Sequence, residues 1–91
     1  MSEHAAMRLM IKHTPLKRLL GMQPKKARAI RDRLEAIAAN PRAKNSNLKP
    51  LAGVPNGFRL RLGDWRASFT LDAQAGVMEV FEIEPRGGAY K

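Results

Sequence analysis

The sequence predicts an α+β fold, a small antiparallel β-sheet of about four strands with two N-terminal helices packed on one face, in a single domain over residues 1–91. Three observations carry this expectation. Two stretches of helical apolar spacing follow the helix-opening prolines Pro15 and Pro24. Residues 58–69 alternate apolar and polar about Gly63-Asp64, the signature of a hairpin. With 91 residues and 44% hydrophobic side chains the chain can fill one small aliphatic core, so the helices must lay their stripes on the sheet.

Met7 to Lys12 is a short apolar run that reads as a strand, stopped by His13-Thr14-Pro15. Thr14 suits an N-cap and Pro15 the first helical position, and Leu16, Leu19 and Leu20 then share one side of a two-turn helix ending at Gly21. Pro24 opens a second helix of about four turns. There Ala27, Ile30, Leu34, Ile37 and Ala38 recur at helical spacing, basic residues occupy the other faces, and Asn40-Pro41 ends it. Residues 42–57 are polar and rich in Asn, Pro and Gly, an ordered loop with a short extended piece at Asn47–Leu51.

In the hairpin, Phe58, Leu60 and Leu62 share one face and Arg59 and Arg61 the other. A two-residue Gly63-Asp64 turn sets Leu62 opposite Trp65, Arg61 opposite Arg66 and Arg59 opposite Ser68. Three guanidinium groups then crowd one patch. Like charges facing each other in a sheet are destabilising, so such a hairpin gives up stability in favour of an external anion. A turn at 72–76 leads to a last strand, Val77 to Ile83, apolar on both faces and therefore expected inside the sheet.

Lys and Arg number 17 against 8 Asp and Glu, a formal charge of +9 that favours a polyanionic partner. Zero cysteines exclude disulfides and thiolate metal sites, and His4 and His13 are too few and too ill-placed for a histidine metal site, so no cofactor is expected. No stretch approaches a membrane span or a secretion signal, so the expected compartment is the cytoplasm, with residues 1–6 flexible. Arg59, Arg61 and Arg66 on one sheet face, joined by Arg86 and Tyr90 after the last strand, make a candidate phosphate site that needs no metal. Set against this, arginines on an open sheet face also occur as plain solvated surface.

Residues 47–53 (Asn-Leu-Lys-Pro-Leu-Ala-Gly), 58–66 (Phe-Arg-Leu-Arg-Leu-Gly-Asp-Trp-Arg) and 80–90 (Val-Phe-Glu-Ile-Glu-Pro-Arg-Gly-Gly-Ala-Tyr) together resemble the RelE/ParE superfamily of bacterial toxin-antitoxin toxins. The resemblance lies in a leucine-glycine loop, an Arg-hydrophobic-Arg strand, Gly-Asp-aromatic-Arg at the hairpin, and a closing Arg four residues before a Tyr. It covers most of the chain and implies the same fold.

For the RelE branch the resemblance implies a ribosome-dependent, metal-independent endoribonuclease that cuts mRNA by attack of a ribose 2′-OH on its own 3′ phosphate. The residues carried over as catalytic are Arg59, Arg61, Arg66, Arg86 and Tyr90. Arg66 and Arg86 would neutralise the phosphorane, Arg59 or Arg61 would hold neighbouring phosphates and could protonate the leaving oxygen, and Tyr90 would orient the nucleotide. The implied partners are mRNA on the ribosome, ribosomal RNA and a cognate antitoxin that lays a segment over the basic face. Pro85 stands where many ribonuclease members have His or Lys, so the general base is unassigned. Glu82 or Glu84 could serve if either reaches the arginine face; a carboxylate beside arginines is otherwise an ion pair. Two other functions compete: a ParE-like toxin that inhibits DNA gyrase without ribonuclease activity, and a plain RNA-binding module resting on charge alone.

Overall fold

The computed structural model describes residues 6–85. Arg86, Tyr90 and residues 1–5 of the expected flexible start lie outside the described residues. The element order is β1 (Arg8–Ile11), α1 (His13–Leu20), α2 (Pro24–Ala39), β2 (Leu48–Pro50), β3 (Gly57–Leu62), β4 (Trp65–Asp72) and β5 (Val77–Pro85). The strands form one sheet in the order β1-β5-β4-β3-β2.

This sheet has five strands and is mixed, which corrects the expected antiparallel sheet of about four. Leu48–Pro50, the short extended piece of the loop, pairs with β3 as a true edge strand, Leu48 opposite Leu60 and Pro50 opposite Phe58. At the other edge β1 runs parallel to β5, from Arg8 beside Val77 to Ile11 beside Val80. Two helices intervene between β1 and the rest of the sheet, and a long crossover of that kind permits parallel pairing where a tight turn would not. Strand β5 is interior, as its apolar composition implies.

The first helix starts earlier than the Thr14 cap implies. Lys12 is its N-cap, without a side-chain capping hydrogen bond, and Pro15 lies inside the first turn, where its missing N–H has no intrahelical partner to lose. Pro15 and Leu19, one turn apart, face the core, whereas Leu20 is 76% exposed, so only part of the expected leucine stripe is buried. In α2 the stripe of Ile30, Leu34, Ile37 and Ala38 is buried. It closes over Leu60, Ala67, Phe69, Met78, Val80 and Ile83 from β3, β4 and β5. Each such fully buried aliphatic or aromatic side chain contributes ~1.5–3 kcal/mol through removal from water. Phe69, fully buried, stacks on Phe58 across β3 and β4 with ring centroids 6.0 Å apart. Both helices therefore cover one face of the sheet and leave the other open.

Two backbone features fix the open face. Gly63 adopts φ +56 as the first residue of the Gly63-Asp64 turn, a conformation that disfavours any side chain. The resulting register is the expected one: Leu62 opposite Trp65, Arg61 opposite Arg66 and Arg59 opposite Ser68. Between β4 and β5 the register slips at Ser68/Phe69, where Phe69 pairs with Val80 but Ser68 with Glu82. Phe81 is thus an extra residue in β5, a β-bulge, and it reverses the alternation along the end of that strand.

Candidate functional site

The site is built by strand alternation. With Leu60 and Leu62 directed to the helices, Arg59 and Arg61 must leave β3 on the open face. Strand pairing then assembles two transverse rows on that face. One runs Lys49, Arg59, Ser68, Glu82 across β2, β3, β4 and β5; the other runs Arg61, Arg66, Glu84 across β3, β4 and β5. Adjacent strands lie roughly 4.8 Å apart, so neighbouring members of a row are in side-chain contact range.

Arg59, Arg61, Arg66 and Lys49 line a cleft of about 380 Å³, with Ser46, Asn47, Pro50 and Leu51 forming its wall. The wall is held by backbone bonds. The Arg61 N–H donates to the Asn47 carbonyl at 3.0 Å, the Asn47 N–H to Asn45 Oδ1 at 3.0 Å, and the Leu51 N–H to the Gly57 carbonyl at 2.9 Å. Lys49 is the residue that the sequence reading missed. Its strand is only three residues long, too short for a periodic signal, although Leu48-Lys49-Pro50 does alternate in the sense that faces Lys49 toward Arg59.

Arg59 and Arg66 are half-buried, whereas Arg61 and Lys49 are exposed, and Arg66 differs from the rest at one atom. Its Nε–H is buried and has no hydrogen-bond partner among the described residues. A buried charged donor without an acceptor costs about 1–3 kcal/mol, a penalty that an incoming anion removes. The ion pair Arg31–Glu35, at 3.7 Å on the exposed face of α2, lies away from the cleft. Among the described residues no ion pair within 4 Å engages Arg59, Arg61 or Arg66.

The β5 bulge decides where the acids go. In a regular strand Glu82 and Glu84 would share a face with Met78 and Val80, beneath the helices. The extra residue Phe81 turns both toward the arginines and returns Ile83 to the core. Glu82 is held protonated to higher pH than an ordinary glutamate. A side-chain hydrogen bond with Glu84 is the main cause; partial burial and the Glu84 charge act in the same direction, against the opposing pull of Arg59 and Arg66.

The structure brings Arg59, Arg61 and Arg66 around one cleft; the other two candidates, Arg86 and Tyr90, follow the described end of β5 at Pro85. A planar, permanently charged, five-donor group is suited to bidentate grip on phosphate oxygens, and three of them line this cleft together with a lysine. Among the described residues no three His, Cys, Asp or Glu side chains gather as metal ligands. No helix among them is long and apolar enough to cross a membrane.

No family model and no curated protein sequence matches the chain. Solved structures do. The RelE–RelB complex from the archaeon Pyrococcus horikoshii is similar at TM-score 0.77 and 22% identity, over 92% of this chain and 99% of that one. The isolated E. coli RelE toxin gives TM-score 0.75 and 18% identity, over 89% and 85%. The RelB–RelE antitoxin–toxin complex from Methanococcus jannaschii gives 0.69 and 16%, over 90% and 95%. Identity this low speaks for the backbone arrangement, and the agreement spans nearly the whole of each partner in the comparison: the chain has the RelE toxin fold.

Proposed function

We propose that this protein is the toxin of a toxin–antitoxin system and acts as a metal-independent endoribonuclease on mRNA in the ribosome. The observation that carries the reading is the set of three arginines and one lysine around a single cleft on the uncovered face of the sheet. Cleavage through the ribose 2′-OH needs charge stabilisation at a pentacoordinate phosphorane, and fixed guanidinium groups supply it. Arg66, half-buried and with an unused buried donor, is assigned to the phosphorane; Arg59, Arg61 and Lys49 hold flanking phosphates. Arg86 is assigned to the same phosphorane and Tyr90 to the nucleotide, both by the resemblance of the closing Arg and Tyr to the RelE pattern.

An antitoxin partner is supported by the neighbours solved as RelB–RelE complexes. The excess of basic over acidic residues suits both an acidic antitoxin segment and ribosomal RNA. The test is induction of the chain in growing bacteria, with mRNA ends and gyrase-linked DNA breaks mapped side by side. The proposal expects cuts within translated codons that disappear with Arg66→Ala, Arg86→Ala and Tyr90→Phe. DNA breaks without such cuts would establish the gyrase-inhibiting reading in its place.

A further inference from the structure

A cleft made of arginines can neutralise a phosphorane but cannot start the reaction, because something must accept the 2′ proton. Guanidinium groups stay protonated far above neutral pH and carry no basic atom. Lys49 is likewise a cation, and Ser68, in the middle of its row, is 2% exposed. The basic atoms that the described part of these two rows does contain are carboxylate oxygens: Glu84 directly opposite Arg66, and Glu82 opposite Ser68 one step along the same strand.

Resting on the ribonuclease reading, we propose that Glu82 and Glu84 are the proton-accepting pair of the cleft, brought beside Arg66 by the bulge at Phe81. Three independent features converge on this assignment. The bulge is the only described irregularity of the β4–β5 ladder, and its effect is to lift both acids from the core face to the arginine face. Arg66, between Arg61 and Glu84 in its row, keeps a buried Nε–H without a partner, so Glu84 faces this arginine without satisfying that donor. Glu82 and Glu84 sit on one face of β5 within hydrogen-bonding reach of each other, and that hydrogen bond, the largest cause, raises the proton affinity of Glu82 above that of an ordinary glutamate.

The step is a transesterification. The 2′ oxygen forms a bond to phosphorus as its proton passes to the carboxylate of the pair. The bond from phosphorus to the 5′ oxygen breaks, its electron pair leaves on that oxygen, and water supplies the proton that completes the 5′-OH. The acid pair returns its proton to solvent, and the products are a 2′,3′-cyclic phosphate and a 5′-OH end. The charged groups facing the pair are Arg66 from β4 and Arg59 from the same row in β3; on the other side the β1 pairing ends at Ile11 beside Val80, before it reaches Glu82. From α1, on the opposite face, the buried residues are the uncharged Pro15 and Leu19.

The experiment is single-turnover cleavage of mRNA on translating ribosomes by wild type, Glu82→Gln, Glu84→Gln, the double variant and Arg66→Ala, with the rate followed from pH 5 to 8. Thermal melting confirms that each variant is folded, and the wild-type pH profile is a second readout that needs no variant. The double variant should cleave roughly 10²–10⁴-fold more slowly, the usual range for loss of a general base. Its ribosome binding should be equal or tighter, since negative charge has left a nucleic-acid cleft. The wild-type rate should fall on the acid side of the profile, and the double variant should lose that limb. A double variant that cleaves at the wild-type rate, on ribosomes where Arg66→Ala is inactive, overturns the assignment and leaves the ribonuclease reading standing. Wild-type protein that fails to cut overturns both.

Discussion

Replacing Arg61 by Gln should make the protein more stable and less active at once. Arg61 is exposed, sits directly across from Arg66, and has Arg59 two residues away on the same face. If the two facing guanidinium groups splay to ~7 Å, their repulsion is ~0.6 kcal/mol at the dielectric of water, and larger where the cleft excludes solvent. Salt at physiological strength, with a screening length of about 8 Å, cuts this by about half. Measured like-charge and opposite-charge pairs in sheets fall in the same range, roughly 0.2–1 kcal/mol.

For a domain of this size each 1 kcal/mol moves Tm by about 4–8 °C, so Arg61→Gln should raise Tm by about 1–5 °C in low salt and by less in high salt. The Gln side chain keeps the stem of Arg61 and the Asn47 carbonyl bond, which uses backbone alone. Cleavage should fall about 10- to 100-fold, and the salt dependence of RNA binding should flatten by about 0.7 in log–log slope for one lost single-strand phosphate contact. Calorimetry at two salt concentrations and filter binding over a salt series read these quantities. A lower Tm in low salt, or an unchanged salt slope, would refute the argument that the hairpin concentrates charge for an external phosphate.

Other expectations concern the frame of the site. Because the folded Glu82 carboxyl binds its proton more tightly than an unfolded glutamate, its contribution to stability is complete at low pH and is lost as pH rises through its folded value; Glu82→Gln should flatten that decline in a Tm-against-pH series. Gly57→Ala would place a Cβ 2.5 Å from Val54 Cγ1 and 2.8 Å from Val54 Cβ, so it should destabilise by about 1–3 kcal/mol through displacement of the 51–57 turn, measured by urea unfolding. Phe69→Ala removes a fully buried ring that stacks on Phe58, and a loss of about 3–5 kcal/mol in the same assay is expected.

The hairpin was legible because its code is local. A Gly-first two-residue turn and period-two alternation determine both the register and the face of every residue from 58 to 69, including the Arg61–Arg66 apposition. The second helix was legible for the same kind of reason, a stripe with a proline at its start and Asn40-Pro41 at its end. What sequence could not give was set by pairing between distant segments. Leu48–Pro50 is a strand only because β3 offers it an edge, and Lys49 enters the cleft only through that pairing. The side of the sheet that Glu82 and Glu84 occupy depends on one extra residue in β5, and no local pattern in Val77–Pro85 marks Phe81 as the residue that bulges. Leu20 fits the helical spacing yet is exposed, because an eight-residue helix buries the Pro15–Leu19 line against β5 and leaves its last residue at the rim.

The ribonuclease proposal rests on the open sheet face directing 2′-OH attack on a message phosphate. Its most direct test is a reconstituted translating ribosome carrying an mRNA with a single 2′-deoxy substitution at the nucleotide 5′ to the cut. Wild-type protein should leave a 2′,3′-cyclic phosphate and a 5′-OH on the all-ribose message, and both the 2′-deoxy message and the Arg66→Ala protein should abolish the cut. Cleavage of the 2′-deoxy message, or an undiminished cut by Arg66→Ala, would contradict it.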